Sequence, residues 1–131
     1  MAVILLVDDS HLGRTLAHMA LTRAGHRVIE ARDGREGFEL AQTLSPDLIV
    51  AASSLPAIDG VTMVRSLREI GVCPPVILVG NGPGWVPGGR VNAADRSGGD
   101  PSLVSISRSV EPHELIRAVQ AGLALPVARA A

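Results

Sequence analysis

The sequence predicts a doubly wound α/β fold, in which helices cover both faces of a parallel sheet of five strands. Short apolar runs alternate with stretches whose apolar residues recur at helical spacing. The first run, Val3–Val7, is apolar at every position and ends in Asp8-Asp9, a pattern typical of a strand buried on both faces. Strands that alternate with helices imply right-handed crossovers and a parallel sheet, and 131 residues suffice for one domain.

Two helices and two further strands are predicted between this first strand and residue 52. Ser10 is the predicted N-cap of the first helix, which ends before Gly25. The turn residues Asp33-Gly34 and Ser45-Pro46 separate the elements that follow. The first helix carries the apolar stripe Leu12, Leu16, Met19 and Ala20, and the later elements are Arg27–Ala31, Arg35–Leu44 (Phe38 and Ala41 inward) and Asp47–Ala51.

The second half of the chain supplies two more strands and two more helices. One helix carries Val61, Val64 and Leu67 on one face and is ended by Gly71. The last helix turns Leu115, Ile116 and Val119 inward. The predicted elements are, in order, Val61–Ile70, Pro75–Val79, Leu103–Ser107 and Glu111–Leu123.

The segment 81–101 interrupts the alternation where a fourth helix is expected. It reads NGPGWVPGGRVNAADRSGGDP, and its six Gly and three Pro disfavour a regular helix. We therefore expect this helix to be lost or replaced by a Gly/Pro-rich loop. The domain is predicted to span residues 1–124, and residues 125–131 are predicted to be a tail.

Three stretches of the chain resemble the receiver domain of two-component response regulators. VDDS at 7–10 is similar to the acidic pair after the first strand, and PDLIVAASSLPAIDG at 46–60 is similar to the third-strand motif. SRSVEPHELIRAV at 107–119 is similar to the fifth strand and the start of the last helix. The resemblance covers nearly the whole chain except 81–101, and it implies a flavodoxin-like sheet in the order 2-1-3-4-5.

The resemblance also implies a phosphoacceptor site, from which this chain departs at several positions. The acceptor aspartate is replaced by Ala52, the hydroxyl residue by Gly80, and the lysine by Arg108. Two carboxylates without a third should hold Mg²⁺ poorly, so we expect no metal or only weak Mg²⁺ at Asp8 and Asp9. The sequence thus predicts a degenerate acidic pocket with no catalytic residue, which is the pattern of a pseudo-receiver. Arg108 is expected to pair with one of the two aspartates.

The predicted function is phosphorylation-independent regulation through contact with a protein partner of a bacterial signalling pathway. The predicted surface comprises the fourth strand, the 81–101 loop and the fifth strand, with Trp85 as an anchor or as a plug of the sheet face. Receiver domains often pair through this face, so a homodimer is an alternative to a contact with a different protein. A cyclic dinucleotide bound by Arg90 and Arg96 is a second hypothesis. An aspartate changed to Ala52 by engineering is a third.

Composition argues against several other classes of protein. The net charge of −1 is not that of a nucleic-acid or membrane-surface binder. Cys73 is the single cysteine, and the N-terminal apolar run is cut short by two aspartates, so we expect a cytoplasmic protein without disulfides. The four histidines do not have the spacing of metal ligands and are expected to be solvated. The sequence shows no catalytic triad, so we do not expect an enzyme.

Overall fold

The computed structural model describes residues 2–80, 103–107 and 112–124. Along these ranges the elements are β1 (Val3–Val7), α1 (His11–Arg23), β2 (Arg27–Ala31), α2 (Gly34–Leu44), β3 (Leu48–Ala52), α3 (Gly60–Glu69), β4 (Val76–Gly80), β5 (Leu103–Ser107) and α4 (Pro112–Leu123). All five strands form one sheet in the order β2-β1-β3-β4-β5, and every neighbouring pair is parallel. The predicted fold class and strand order are confirmed.

The predicted element bounds differ from the observed ones by one residue at several ends. β3 ends at Ala52 and β4 ends at Gly80, so both residues are the last of their strands. The fourth helix along the chain, α4, follows β5 and corresponds to the predicted last helix. The predicted replacement of a helix by a loop at 81–101 lies outside the described residues, as does the tail.

Each of the first three helices begins at a side chain that accepts a hydrogen bond from its first turn. Ser10 accepts from the backbone N–H of Gly13, and Asp33 accepts from that of Glu36. Asp59 accepts from the N–H of Thr62 at 2.8 Å. These caps satisfy backbone donors that have no partner inside the helix, and they fix where each helix leaves its loop.

The hydrophobic core consists of two clusters, one on each face of the sheet. Successive strand residues point to opposite faces, so a strand covered on both sides is apolar throughout. Leu5, Val7 and Ala51 belong to the cluster that also includes Met63 and Leu67 of α3. The other cluster joins the alternate strand residues to α1 and α4; its buried members are Ile4, Leu6, Leu21, Leu48, Val50, Ile77, Leu115 and Val119.

The predicted stripe of α1 does not face this core. Leu12, Leu16 and Met19 are 67 %, 58 % and 49 % exposed, whereas Arg14 and Leu21 are the buried residues of the helix. Helical spacing was therefore right for the element but did not show which side of it the sheet covers. None of the helices within the described ranges has the length and apolar character needed to cross a membrane.

Candidate functional site

The sheet register brings three of the predicted pocket residues to one edge. Val7 of β1 is paired with Ala51 of β3, so Asp8 follows directly beside Ala52. Ala52 is paired with Val79 of β4, and Gly80 comes next in that strand. Since neighbouring strands lie about 4.8 Å apart, these residues form the centre of the carboxyl edge.

Asp8 and Ala52 face the same side of the sheet. Asp8 comes two residues after Leu6, and Ala52 two residues after Val50, so their side chains point to the face of the sheet where Leu6 and Val50 pack beneath α1 and α4. Both residues line the groove between those helices. Ala52 is 2 % exposed. Its methyl group has no lone pair, so it can neither attack phosphorus nor bind a metal ion.

The Asp8 carboxylate is held by the turn that leads into α1. Its Oδ1 accepts a hydrogen bond from the backbone N–H of Ser10 at 2.9 Å. The backbone N–H of Asp8 donates to the carbonyl of Ala31 at 3.1 Å, which ties the turn to β2. Asp8 is 6 % exposed, whereas Asp9 is exposed. The two aspartates therefore differ in environment, and Asp8 helps to build the turn.

Arg14 anchors the same turn from inside α1, a role that the sequence analysis missed. Its side chain is 10 % exposed, and its Nη1 donates to the Asp8 carbonyl at 2.8 Å. Its Nε donates to Glu30 Oε1 on β2 at 3.3 Å. Arg14 thus links the acidic turn, α1 and the edge strand. The sequence carries no clear signal for this role, since Gly13 and Thr15 flank Arg14.

His18 also approaches Glu30, although its side chain stays 40 % exposed. Its Nδ1 is buried and lies 2.7 Å from Glu30 Oε2, a close contact that does not form a hydrogen bond. Arg14 and His18 are one helical turn apart and therefore share a face of α1. Glu30 is bracketed by the two side chains, which fixes α1 against β2.

Replacing Arg14 by methionine is expected to lower the free energy of unfolding by about 1–3 kcal/mol, because the buried Asp8 carbonyl would lose its charged donor. Methionine keeps most of the apolar length of arginine, so the loss reports the polar contacts. Urea unfolding of the variant and the wild type measures this difference. Arg65→Met, which changes an exposed arginine on α3, is the matched control. Equal stability of the two variants would show that Arg14 does not hold the turn.

The loop between β3 and α3 approaches the end of β3 closely. The N–H of Gly60 donates to the Ser53 carbonyl at 3.0 Å, and the N–H of Ser53 donates to the Val79 carbonyl at 2.9 Å. A Cβ atom on Gly60 would collide with the backbone oxygen of Ala52. Ala57 in this loop has a φ of 68°, a conformation uncommon for alanine. The backbone around position 52 is therefore closely constrained.

The described residues do not form a site that fits Mg²⁺. Within the part of the chain that the structure describes, no group of three or more His, Cys, Asp or Glu residues could hold a metal ion. Magnesium requires near-octahedral oxygen ligands, and position 52 contributes a methyl group in place of one. Weak binding at Asp8 and Asp9 stays a prediction.

Four of the predicted site residues lie outside the described residues. They are Arg108, which comes after β5 in the sequence, and Trp85, Arg90 and Arg96 of the 81–101 segment. The pairing of Arg108 with an aspartate, the loop anchor and the nucleotide contacts therefore stay predictions.

An apolar groove of about 360 Å³ runs from this edge between α1 and α4. Leu12, Leu16 and Ala20 of α1 form one wall, and Pro112 and Leu115 of α4 contribute to the other. Asp8, Ser10 and Ala52 line the groove where it meets the carboxyl edge of the sheet. The exposed stripe of α1 therefore continues into the groove.

Comparison with known proteins identifies clear relatives. Residues 4–82 match the model of the response regulator receiver domain. The chain is 40 % identical over 78 residues to the transcriptional regulatory protein AfsQ1 of Streptomyces coelicolor, an alignment that covers 60 % of this chain and 35 % of the relative. It is 40 % identical over 76 residues to the alkaline phosphatase synthesis transcriptional regulatory protein PhoP of Bacillus subtilis, covering 58 % and 32 % respectively. These alignments thus span about a third of the length of either relative.

Solved structures share the fold at lower sequence identity. The receiver domain of the Francisella response regulator 1452 superposes with a TM-score of 0.77 at 22 % identity, and the match covers 94 % of this chain and 97 % of that one. The chemotaxis protein CheY4 of Vibrio cholerae superposes with a TM-score of 0.74 at 24 % identity, covering 92 % and 98 %. The architecture of the chain is that of these structures.

Proposed function

Since this chain belongs to the response regulator receiver domain family, we propose that it is a pseudo-receiver, which regulates a bacterial signalling pathway by protein contact and without phosphorylation. The observation that carries the proposal is Ala52. It is the last residue of β3, beside Asp8, and the resemblance of residues 46–60 to the third-strand motif assigns it to the acceptor position. The role is that of a non-enzymatic signalling module.

The chemistry of phosphoryl transfer supports the proposal. The reaction requires a nucleophile, oxygen ligands for a divalent cation, and positive charge near the transferred group. Because position 52 is alanine, the site lacks both the nucleophile and one oxygen ligand for the cation. Gly80 offers no hydroxyl at the end of β4 to contact a phosphoryl group. A domain with this site keeps one chemical state, so its output has to be set by what it binds.

The surface of α1 supports the protein-contact part of the proposal. Three large apolar side chains at helical spacing are between 49 % and 67 % exposed on that helix. Exposed apolar patches of this kind mark interaction sites more often than single exposed residues do. The face formed by β4, the 81–101 segment and β5 stays a predicted second surface.

Treatment of the wild-type chain with acetyl phosphate and Mg²⁺ tests the proposal, with intact-mass spectrometry as the readout. We expect no phosphoryl adduct, and no change in Tm when Mg²⁺ and beryllofluoride are added together. A receiver domain that retains its acceptor aspartate, treated in the same reactions, shows whether the reagents are active. A phosphoryl adduct on the wild type at any residue of the carboxyl edge would overturn the proposal.

A further inference from the structure

The residues that follow α4 have a composition that complements the groove between α1 and α4. Residues 125–131 read LPVARAA, so two large apolar residues come first and one cation, Arg129, comes after them. Pro126 has no backbone N–H to continue the helix, and it restricts Leu125 to extended conformations. In an extended chain, Leu125, Val127 and Arg129 share one face. The sequence therefore predicts a segment with a face that is apolar first and basic after.

This segment leaves α4 at the end of the sheet opposite Asp8. A Cβ atom on Gly122 would lie 2.8 Å from Leu48 Cδ1 and 3.7 Å from Pro75 Cβ, so the last turn of α4 lies at the amino ends of β3 and β4. Pro112, at the start of the helix, lines the groove together with Asp8. The helix thus runs from the carboxyl edge of the sheet to the amino edge.

The segment is long enough to return along the whole of α4. The helix has 12 residues, so it is about 18 Å long. Residues 125–131 span at most about 23 Å when extended. A segment that turns back after Ala124 can therefore bring Arg129 toward the carboxyl edge.

The groove presents its surfaces in the order that this return path requires. Leu12 and Leu16 contribute to its apolar wall and are 67 % and 58 % exposed. Asp8 lines the groove at the carboxyl edge. A segment antiparallel to α4 would lay Val127 against the apolar wall and direct the cation of Arg129 toward the acidic end. Parallel continuation away from the sheet would leave both without a partner surface.

We propose that residues 125–131 dock in the groove of their own chain, antiparallel to α4. Because the segment is covalently attached next to the groove, its effective concentration there is on the order of millimolar, so a weak contact suffices. A separate partner with the same residues lacks this advantage. The docked segment covers Leu12 and Leu16, so a protein that binds the α1 surface has to displace it.

The inference goes beyond the proposed function and does not depend on position 52. A phosphoryl adduct on the wild-type chain would overturn the pseudo-receiver proposal and leave the docked segment untouched. An undocked segment would leave the chemistry of position 52 as described.

Trypsin cleavage of the full chain tests the inference, because trypsin cuts between Arg129 and Ala130. The initial rate at which the dipeptide Ala-Ala is released is followed by mass spectrometry. We expect release from the wild type to be roughly tenfold or more slower than from a free peptide of residues 122–131, because cleavage requires the segment to leave the groove.

A substitution in the groove wall shows where the segment is held. Leu16→Asn should raise the rate of release several-fold, because it puts a polar group against the docked segment and leaves the cleaved sequence unchanged. Ile70→Asn is the matched control, since Ile70 is 52 % exposed at the end of α3, and it should be cleaved at the wild-type rate. The Tm of each variant shows that it is folded.

Disulfide trapping tests the path of the segment. In a Cys73→Ser background, Leu16→Cys combined with Val127→Cys should form an intramolecular disulfide several-fold faster than Ile70→Cys combined with Val127→Cys. Ile70 begins the connection to the amino end of β4, the end from which the segment leaves, so a freely moving segment would reach it too. Intact mass under non-reducing conditions identifies the bond.

Two results would overturn the inference. Release of Ala-Ala from the wild type at the rate of the free peptide would show that the segment does not dock. Equal trapping by the two cysteine pairs, or equal cleavage of the Leu16→Asn and Ile70→Asn variants, would place the segment outside the groove.

Discussion

Replacing Ala52 by aspartate is expected to make the domain less stable without Mg²⁺ and responsive to it. The new carboxylate would lie beside Asp8 at a position that is 2 % exposed. Burial and the neighbouring negative charge both disfavour the ionised form, so we expect a loss of about 1–3 kcal/mol in the free energy of unfolding. The wild type has no comparable cost, because a methyl group occupies the site.

Magnesium should reverse this loss in the variant and have no effect in the wild type. The third carboxylate supplies the oxygen ligand that Ala52 lacks, and a ligand at a hundred times its dissociation constant stabilises the folded state by ~2.7 kcal/mol. For a domain of this size, that corresponds to a rise of several degrees in Tm. Thermal unfolding with and without MgCl₂ measures both parts of the prediction.

Ala52→Asn is the matched control for the aspartate variant. Asparagine has almost the same shape but no charge, so it should unfold at the same temperature with and without Mg²⁺. An aspartate variant that also ignores millimolar Mg²⁺ would show that the frame around β3 has lost its geometry as well as its nucleophile. Phosphoryl transfer to the variant would instead show that alanine is the single block.

Replacing Gly60 by alanine is expected to lower the free energy of unfolding by about 1–3 kcal/mol, because the site has no room for a methyl group. The added Cβ would collide with the backbone oxygen of Ala52 and lie 3.1 Å from Leu78 Cδ2. A backbone oxygen in a central strand cannot rotate away as a side chain can. The start of α3 therefore has to move, and with it Met63, which is fully buried.

Thr62→Ala controls for the change in helix propensity. Thr62 is exposed in the same helical turn, so its replacement should alter stability by no more than about 0.5 kcal/mol. Urea denaturation of both variants and the wild type measures the differences in the free energy of unfolding. A Gly60→Ala protein as stable as the Thr62→Ala protein would mean that α3 does not approach the end of β3 as closely as the structure shows.

The sequence by itself determined the fold class, and the resemblance of its motifs to receiver domains supplied the strand order. Val3–Val7 and Leu48–Ala52 are apolar at every position, a pattern typical of short strands covered on both faces. Parallel strands then bring their carboxyl ends to one edge, where Asp8, Ala52 and Gly80 lie. The apolar strands are a local pattern and the shared carboxyl edge follows from parallel topology, so the sequence suffices to predict both.

The tertiary structure alone decided which surfaces of the elements are covered and which polar groups meet. The spacing of Leu12, Leu16 and Met19 predicts a helix, but a periodic pattern is the same whether the sheet or solvent lies against it. Arg14 reaches Glu30 only because α1 packs beside β2, and the Gly60 contact exists only because α3 starts beneath the end of β3. Such contacts join residues whose separation in the chain carries no signal, because the packing of one element on another sets their distance.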